Sequence, residues 1–204
     1  AHTLSRTLFP LGNLTKEEVR KIARKNKLET AEIPESMEIC FVADNNYKRF
    51  LADYVPDRMD AVGSGVIVDE SGETVGAHDG YPHYTIGQRK GLGLTNPEPR
   101  YVTQIEPSLN QITIGKKEAL HKNTCSMSQV NWLVNPMDFP CEVDSQIRYN
   151  SPVVSAEIIK NNSGYEITFQ KPQAAVTPGQ SIVFYRDDVV LGGGIIERNI
   201  CSDE

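Results

Sequence analysis

Cysteine is the residue type in this chain with the widest chemistry, because a thiolate can act as a nucleophile, a metal ligand or a sulfur carrier. The 204 residues contain four: Cys40, Cys125, Cys141 and Cys201. None lies in a Cys-x-x-Cys pair, which argues against a zinc site or a thioredoxin-like motif, and a disulfide scaffold is not expected at this length and density. The cysteine pattern predicts reduced thiols and a cytoplasmic location.

The four thiols differ in their sequence surroundings. Cys125 is in register with Met127, and Cys141 shares one alternating face with Val143, Ser145, Ile147 and Tyr149, so both are predicted to be core residues. Cys201 lies in a predicted frayed tail. Cys40 stands in Glu-Ile-Cys-Phe-Val after an irregular acidic segment, where an inert buried thiol and a reactive thiol are both compatible with the residues.

The stretch Gly87–Gly93 joins flexible backbone to two adjacent cations, Arg89 and Lys90. Exposed amides and cations suit an anion-binding loop, and an ordinary surface loop fits the same residues. His78 and His83 lie in one predicted loop without a metal-ligand spacing, so no metal site is predicted.

Two other glycine clusters do not have the form of phosphate loops. Neither Gly63-Ser-Gly65 nor Gly192-Gly-Gly194 is followed by Lys and then Ser or Thr, and neither opens a helix after a strand. The triple glycine is instead typical of a bulge or close packing within the last strand.

The elements that must position these residues are mostly strands. A helix is predicted over residues 15–27, with Thr15 and Glu18 as a capping box, and a second over 45–54 that stops at Pro56. Two hairpins follow, with strands at 66–69, 74–76, 101–106 and 111–115, and then a short helix over 116–120. Six more strands are predicted at 126–133, 141–149, 154–160, 165–170, 181–186 and 189–196. The fold is therefore expected to be mainly β with a few short helices: a small α+β central domain and a C-terminal six-stranded antiparallel β-barrel.

Composition and charge narrow the function. Hydrophobic residues are 39% and charged residues 24% of the chain, which is ordinary for a soluble globular protein, and no apolar run approaches the ~18 residues that span a bilayer. The net charge of −6 argues against a broad nucleic-acid footprint, so RNA could bind only at local basic patches. One such patch could be the helix face of Lys16, Arg20, Arg24 and Lys27, which a solvated surface explains as well.

Several motifs in order along the chain resemble those of the tRNA-specific 2-thiouridylases, the MnmA/TrmU family. The resemblance covers nearly the whole chain. It rests on the segments Leu8–Ala23, Glu35–Val42 (Glu-Ser-Met-Glu-Ile-Cys-Phe-Val), His78–Gly80, Tyr84–Gly93, Ile147–Tyr149, Ala175–Ser181 and Leu191–Glu197.

The resemblance implies a division into the end of a PP-loop catalytic domain (1–36), a central α+β domain (37–122) and a C-terminal β-barrel (123–204). It also implies an enzyme that uses ATP to adenylate C2 of uridine 34 of tRNA. A persulfide on Cys40 then delivers sulfur to C2, AMP leaves, and a second cysteine closes a disulfide with Cys40. The pyrophosphate loop and that second cysteine are absent from these residues, so the chain alone is expected neither to bind ATP nor to thiolate tRNA.

The family's tRNA-contacting positions correspond to Arg148, Tyr149 and Gln180, and Arg89 and Lys90 are additional candidates. From the residues, Arg148 faces opposite to its neighbour Ile147 and suits a phosphate, and Gln180 is expected to be exposed in a turn. Tyr149 can equally fill the core. The implied partners are tRNA and a persulfide-donor protein, with no membrane.

Met37 departs from the family, where many relatives carry Gln, which could change the local hydrogen bonds beside Cys40. Two other functions fit part of the sequence. A non-catalytic RNA-binding barrel of translation type does not need a modifiable thiol, so Cys40 discriminates against it. A thiol oxidoreductase lacks a resolving cysteine close to Cys40 in the sequence.

Overall fold

The computed structural model describes residues 3–33, 42, 44, 46–94, 98–134, 138–149, 151–162 and 164–198. The chain forms two compact units, Ala1–Val55 and Pro56–Glu204. Cys40, Met37 and Cys201 lie outside the described residues. No helix within the described ranges is long and apolar enough to cross a membrane.

The first unit contains helices α1 (Lys16–Lys25) and α2 (Tyr47–Tyr54) and 3-10 turns at Leu4–Arg6 and Glu29–Glu32. The predicted capping box is confirmed: Thr15 Oγ1 accepts from the Glu18 amide, and the Thr15 amide donates to Glu18 Oε2 at 2.7 Å. The Thr15 amide and the Thr15 hydroxyl both donate to Glu18 Oε2, and these two hydrogen bonds lower the pKa of Glu18. The helix ends two residues earlier than predicted, and Lys27 has a positive φ of 54°.

The second unit opens with a helix that the sequence analysis missed, α3 (Pro56–Val62). Pro56 was predicted only to stop α2. It also begins α3, because proline at the first helical position lacks an N–H that would be unsatisfied there in any case, and its fixed φ suits a helix. Asn110 Nδ2 secures the end of α3 by donating to Val62 O at 2.8 Å.

A four-stranded sheet in the order β2-β1-β4-β3 follows. Its strands confirm the two predicted hairpins: β1 Gly65–Val68, β2 Thr74–His78, β3 Tyr101–Glu106 and β4 Gln111–Gly115. The hairpins join through parallel pairing of β1 with β4. Short 3-10 turns cover Tyr81–His83, Pro107–Leu109 and Lys117–Leu120. The core of this sheet consists of Ile67, Leu92, Val102, Ile112 and Ile114.

The predicted six-stranded antiparallel barrel is confirmed as a closed barrel in the order β10-β5-β8-β7-β6-β9. Its strands are β5 His121–Trp132, β6 Cys141–Gln146, β7 Val154–Asn161, β8 Gly164–Ala174, β9 Ser181–Arg186 and β10 Val189–Ile196. Alternate residues fill the interior, and Ile158, Ile167, Ile182 and Phe184 are 0% exposed. Closure leaves no unpaired strand edge, so the loops at the two ends of the barrel are free to differ in chemistry.

The bounds of three barrel strands differ by three residues or more from those predicted. β5 begins at His121 rather than 126, β8 runs on to Ala174 rather than 170, and β6 ends at Gln146 rather than 149. The last difference matters for function, because Tyr149 is no longer a strand residue and its side chain is 94% exposed. The prediction that Tyr149 shares the buried face of β6 is therefore wrong.

Candidate nucleic-acid interface

Arg148 and Tyr149 lie in the connection between β6 and β7, which is a tightly hydrogen-bonded turn. The Arg148 amide donates to Ser151 Oγ at 3.1 Å, and that hydroxyl donates to Arg148 O at 2.8 Å. Gln146 Nε2 donates to the carbonyls of Tyr149 and Ser151, at 3.2 and 2.8 Å. Ile147, 2% exposed, anchors the turn in the barrel core. This fixed backbone presents Arg148 and Tyr149 to solvent.

The Arg148 side chain crosses to the neighbouring connection of the barrel. Its Nη2 donates to Ala174 O, at the end of β8, at 3.0 Å. A guanidinium carries five N–H donors, so one bond to a carbonyl holds the group in place and leaves donors for a phosphate.

Gln180 lies in that neighbouring connection, between β8 and β9. The expectation that Gln180 is exposed is wrong: the residue is half-buried, and its Oε1 is buried without a hydrogen-bond partner in the described part of the chain. Its backbone explains the burial, since the Gln180 amide donates to Thr177 O at 3.2 Å and Gln180 O accepts from Ile196 N at 2.8 Å. An unpaired buried amide oxygen is a ready acceptor for a donor that approaches from outside.

The loop Gly87–Gly93 of the small sheet reaches the same end of the barrel. A Cβ added to Gly87 would lie 3.4 Å from Ala175 Cβ, so the two backbones are in close contact. Gly87 N donates to Val102 O at 2.8 Å and Val102 N donates to Gln88 O at 2.9 Å, which attaches the loop to β3. Arg89 and Lys90 follow at once in the chain, and both are exposed.

The structure thus brings together the tRNA-contact candidates of the second unit, Arg89, Lys90, Arg148, Tyr149 and Gln180, while the helix face of α1 belongs to the first unit. Arg148 and Tyr149 lie in the first connection, Gln180 lies in the second, and the Arg89–Lys90 loop touches the second at Ala175. We call the described residues of these three segments, 147–149 with 151–153, 174–180 and 87–93, the basic end of the barrel. Within the described residues, neither Arg89, Lys90 nor Arg148 forms an ion pair with a carboxylate, so their charge is available to a ligand.

One further contact holds the small sheet against the barrel. Arg198, just after β10, donates to Glu106 Oε1 of β3 at 3.0 Å. Hydrogen bonds from Ser108, with the Arg198 charge adding to them, lower the pKa of Glu106. Arg198 is therefore paired with a carboxylate and has a structural role.

One cation of the basic face of α1, Arg24, is engaged within its own unit. Arg24 Nε lies 2.6 Å from Glu32 Oε1. The pairing of Arg24 fits the solvated-surface interpretation of the helix face better than a phosphate-contacting ridge.

The two described cysteines are poor nucleophiles, as predicted for core residues. Cys125 is 3% exposed, and burial raises its pKa to about 12. Cys141 is half-buried and packs against the barrel core, and burial also raises its pKa, although the charge of Arg186 acts in the opposite direction.

His78 is a buried side chain that accepts a hydrogen bond from the backbone, which indicates a structural role. It is 3% exposed, its Nδ1 accepts from the Gly80 amide at 3.0 Å, and burial lowers its pKa. Among the residues that the structure describes, no group of three or more His, Cys, Asp or Glu side chains is placed to hold a metal ion.

Comparison with known proteins shows the family to which the chain belongs. Three family models match in order along the chain: the tRNA methyl transferase HUP domain over residues 1–44, the tRNA methyl transferase PRC-barrel domain over 48–116 and the aminomethyltransferase beta-barrel domain over 122–196. The chain is 45% identical to the tRNA-specific 2-thiouridylase MnmA of Chlorobium phaeobacteroides, over 97% of this chain and 55% of the relative. The chain belongs to the tRNA-specific 2-thiouridylase family.

Two further relatives named tRNA-specific 2-thiouridylase MnmA give the same picture. The protein of Chlorobium luteolum is 47% identical over 95% of this chain and 54% of the relative, and that of Carboxydothermus hydrogenoformans is 45% identical over 97% and 54%. The chain spans about half the length of the curated relatives it matches. The resemblance given by the motifs is confirmed.

Sequence reasoning missed two residues that build the basic end of the barrel. Ser151 fastens the turn that carries Arg148 and Tyr149, and Gln88 bridges the loop that carries Arg89 and Lys90. Ser151 followed by proline after a strand is a turn signal that was available. For Gln88 the sequence gave no signal beyond its place next to a glycine, Gly87, which has a positive φ in the structure.

Tyr149→Ala tests the corrected position of this side chain. Because the ring is 94% exposed, the change should alter the free energy of unfolding by no more than ~0.5 kcal/mol. If the ring stacks on RNA, the substitution should cost about 1–3 kcal/mol of tRNA binding, and Tyr149→Phe should retain most of it. A melting curve and a filter-binding titration on each variant give both values. A large loss of stability in Tyr149→Ala would contradict the exposed position and would mean that the ring is buried in the barrel core.

Proposed function

We propose that this chain supplies the tRNA-binding surface and the sulfur-carrying cysteine of a tRNA uridine 2-sulfurtransferase. The observation that carries the proposal is the basic end of the barrel, where Arg89, Lys90, Arg148 and Tyr149 are exposed on adjoining loops in a member of this family. The relatives' printed names, tRNA-specific 2-thiouridylase, support tRNA as the nucleic acid.

The distribution of charge reconciles tRNA binding with the net charge of −6. Among the described residues, Arg89, Lys90 and Arg148 form no ion pair with a carboxylate, whereas Arg24 and Arg198 do. Phosphates are expected to bind at these three clustered cations, with modest affinity and a strong dependence on salt. Tyr149 adds a flat apolar surface for a base or ribose beside the cations.

Cys40 is the residue that we assign to sulfur transfer, as the resemblance implies. A persulfide is more acidic and more nucleophilic than a thiol, so a cysteine that receives sulfur from a persulfide-donor protein becomes an efficient donor near neutral pH. We accordingly propose a persulfide-donor protein as the second partner and the cytoplasm as the place of action.

ATP does not fit the residues at hand. The 204 residues contain no Ser-Gly-Gly sequence of the kind that begins the family's pyrophosphate loop, and neither glycine cluster opens a helix in the structure. We therefore derive no step through ATP. The dependence of the complete reaction on ATP remains part of the proposal for the whole enzyme.

The proposed role is tested by titrating labelled tRNA with the chain at several salt concentrations. We expect affinity for tRNA to fall steeply as salt rises, and Arg148→Ala to weaken binding of all tRNAs alike and to lower the salt slope by about 0.7–0.9. Arg186→Ala is the matched control, since Arg186 is an exposed arginine at the opposite end of β9. Equal losses in both variants, or no tRNA binding at low salt, would contradict the proposed surface.

The thiols should react in a fixed order with iodoacetamide. Cys40 is expected to be alkylated ahead of Cys125 and Cys141, because burial raises the pKa of both and so lowers the fraction present as thiolate. Mass mapping after a brief exposure of the folded chain gives the order, and the same reaction in denaturant shows that all sites are chemically accessible once unfolded. Faster reaction at Cys125 or Cys141 would contradict both the burial and the assignment of Cys40.

A further inference from the structure

The loop that carries Arg89 and Lys90 begins with a tight turn. Gln88 N donates to Thr85 O at 3.0 Å, and Gly87, the third residue of the turn, has a φ of 89°. This is the pattern of a type II turn, which requires a residue that tolerates positive φ at that place. The turn fixes the path of the chain up to Gln88, but the two cations come after it.

The Gln88 side chain spans the rest of the loop. Its Oε1 accepts from the Thr85 amide at 3.1 Å and its Nε2 donates to Lys90 O at 2.9 Å. The same side chain therefore binds the backbone on both sides of Arg89. Both functional groups of the amide are used within the loop, so its geometry serves the loop's own conformation.

We propose that Gln88 is a positioning residue that holds Arg89 and Lys90 in the conformation in which they meet a tRNA phosphate. The inference rests on the proposed function for its consequence in tRNA binding. Binding of a flexible loop costs conformational entropy, because its backbone and side chains become ordered. A backbone that is already ordered before binding reduces this cost. Gln88 thereby acts through its two neighbours and makes no contact with RNA itself.

The position of the loop supports this role over a purely structural one. Leu92 is 7% exposed and anchors the far side of the loop in the core of the small sheet, and Gly87 and Gln88 pair with Val102 on the near side. Both ends are thus held without the Gln88 side chain. Its hydrogen bond to Lys90 O orders the exposed residues between these anchors, and its hydrogen bond with the Thr85 amide ties them to the preceding turn.

The first test needs no RNA. Trypsin cleaves after Arg89 and Lys90, and a protease requires a locally opened chain. Gln88→Met keeps the length of the side chain and removes both hydrogen bonds, so cleavage in this loop should become roughly five- to tenfold faster. Gln104→Met, an exposed glutamine on β3, is the matched control and should leave the rate unchanged. An unchanged rate in Gln88→Met overturns the proposal whatever the chain does with tRNA.

The second test separates positioning from direct contact. Gln88→Met should weaken tRNA binding about fivefold in the unaltered chain and less than about twofold in an Arg89→Ala/Lys90→Ala background, because residues that act as a unit are not additive. Equal losses in the two backgrounds would mean that Gln88 touches the RNA itself and would overturn the proposal. If the unaltered chain binds no tRNA, the proposed function fails, and the cleavage experiment still decides whether Gln88 orders the loop.

Discussion

A chain in which Arg89, Lys90 and Arg148 are all alanine is expected to lose tRNA affinity on the order of 100-fold at about 0.15 M salt. Each phosphate contact contributes about 0.7–0.9 to the slope of log affinity against log salt. At this salt concentration one contact is then worth roughly a four- to fivefold gain over 1 M salt, and three contacts multiply to the expected value. The three side chains are exposed and make no ion pair within the described residues, so their removal leaves the core intact.

The measurement is a set of titrations from about 0.05 to 0.3 M salt, in which the slope should fall by roughly 2–3 in the triple variant. The control removes Lys160 and Arg186, which lie at the opposite ends of β7 and β9 from the basic end of the barrel. If the cations act only through long-range charge, the loss of tRNA affinity per removed cation should be the same in the control and in the triple variant. An unchanged slope in the triple variant would show that tRNA binds elsewhere.

The barrel was predictable because its strands carry two strong local signals. Tyr165, Ile167 and Phe169 alternate with polar residues, and Asp187–Asp188 marks a turn, so the bounds of β9 and β10 were predicted to the residue. Such signals need no information from distant parts of the chain. The two hairpins of the small sheet were predicted for the same reason, whereas their joining through parallel pairing of β1 with β4 was not.

The errors lie where a local pattern continues past the point at which tertiary structure ends it. Alternation runs on to Tyr149, but Gln146 and Ser151 bind the backbone into a turn and leave the ring in solvent. Gln180 was expected to be exposed because turn residues generally are, yet the hydrogen bond from Ile196 draws it against β10.

The candidate site shows the same limit. Arg89 and Lys90 were candidates on residue type alone, and only the close approach of Gly87 to Ala175 places them beside Arg148. Contacts between residues so far apart in sequence depend on how the small sheet packs on the barrel, which no local pattern encodes. The role of Cys40 and the division of the chain at residues 36 and 122 stay predictions.

A substitution in the triple glycine of β10 is expected to have the second large effect, a loss of stability of the folded barrel. A bulge or close packing was predicted there, and the register shifts between Gly193 and Ile195 opposite β5. A Cβ on Gly193 would lie 2.4 Å from Ile182 O and 3.3 Å from Val183 Cα, which is far inside normal contact. Because β10 is hydrogen-bonded to β5 and β9 at this residue, neither neighbour can move away without breaking the barrel's pairing.

Gly193→Ala is therefore expected to lower the free energy of unfolding by at least about 3 kcal/mol, the upper part of the range for overpacking. For the compact unit Pro56–Glu204 that contains the barrel, this shifts the melting temperature down by roughly 6–12 °C. The fluorescence of Trp132, the one tryptophan of the chain, reports the transition, since it stacks on Phe184 in the barrel. Val189→Ala, on an exposed residue of the same strand, should change the melting temperature by no more than ~1–2 °C, because little apolar surface is lost. A Gly193→Ala protein that melts with the unaltered chain would mean that β10 does not lie between β5 and β9 at this spacing, and the closed barrel would have to be revised.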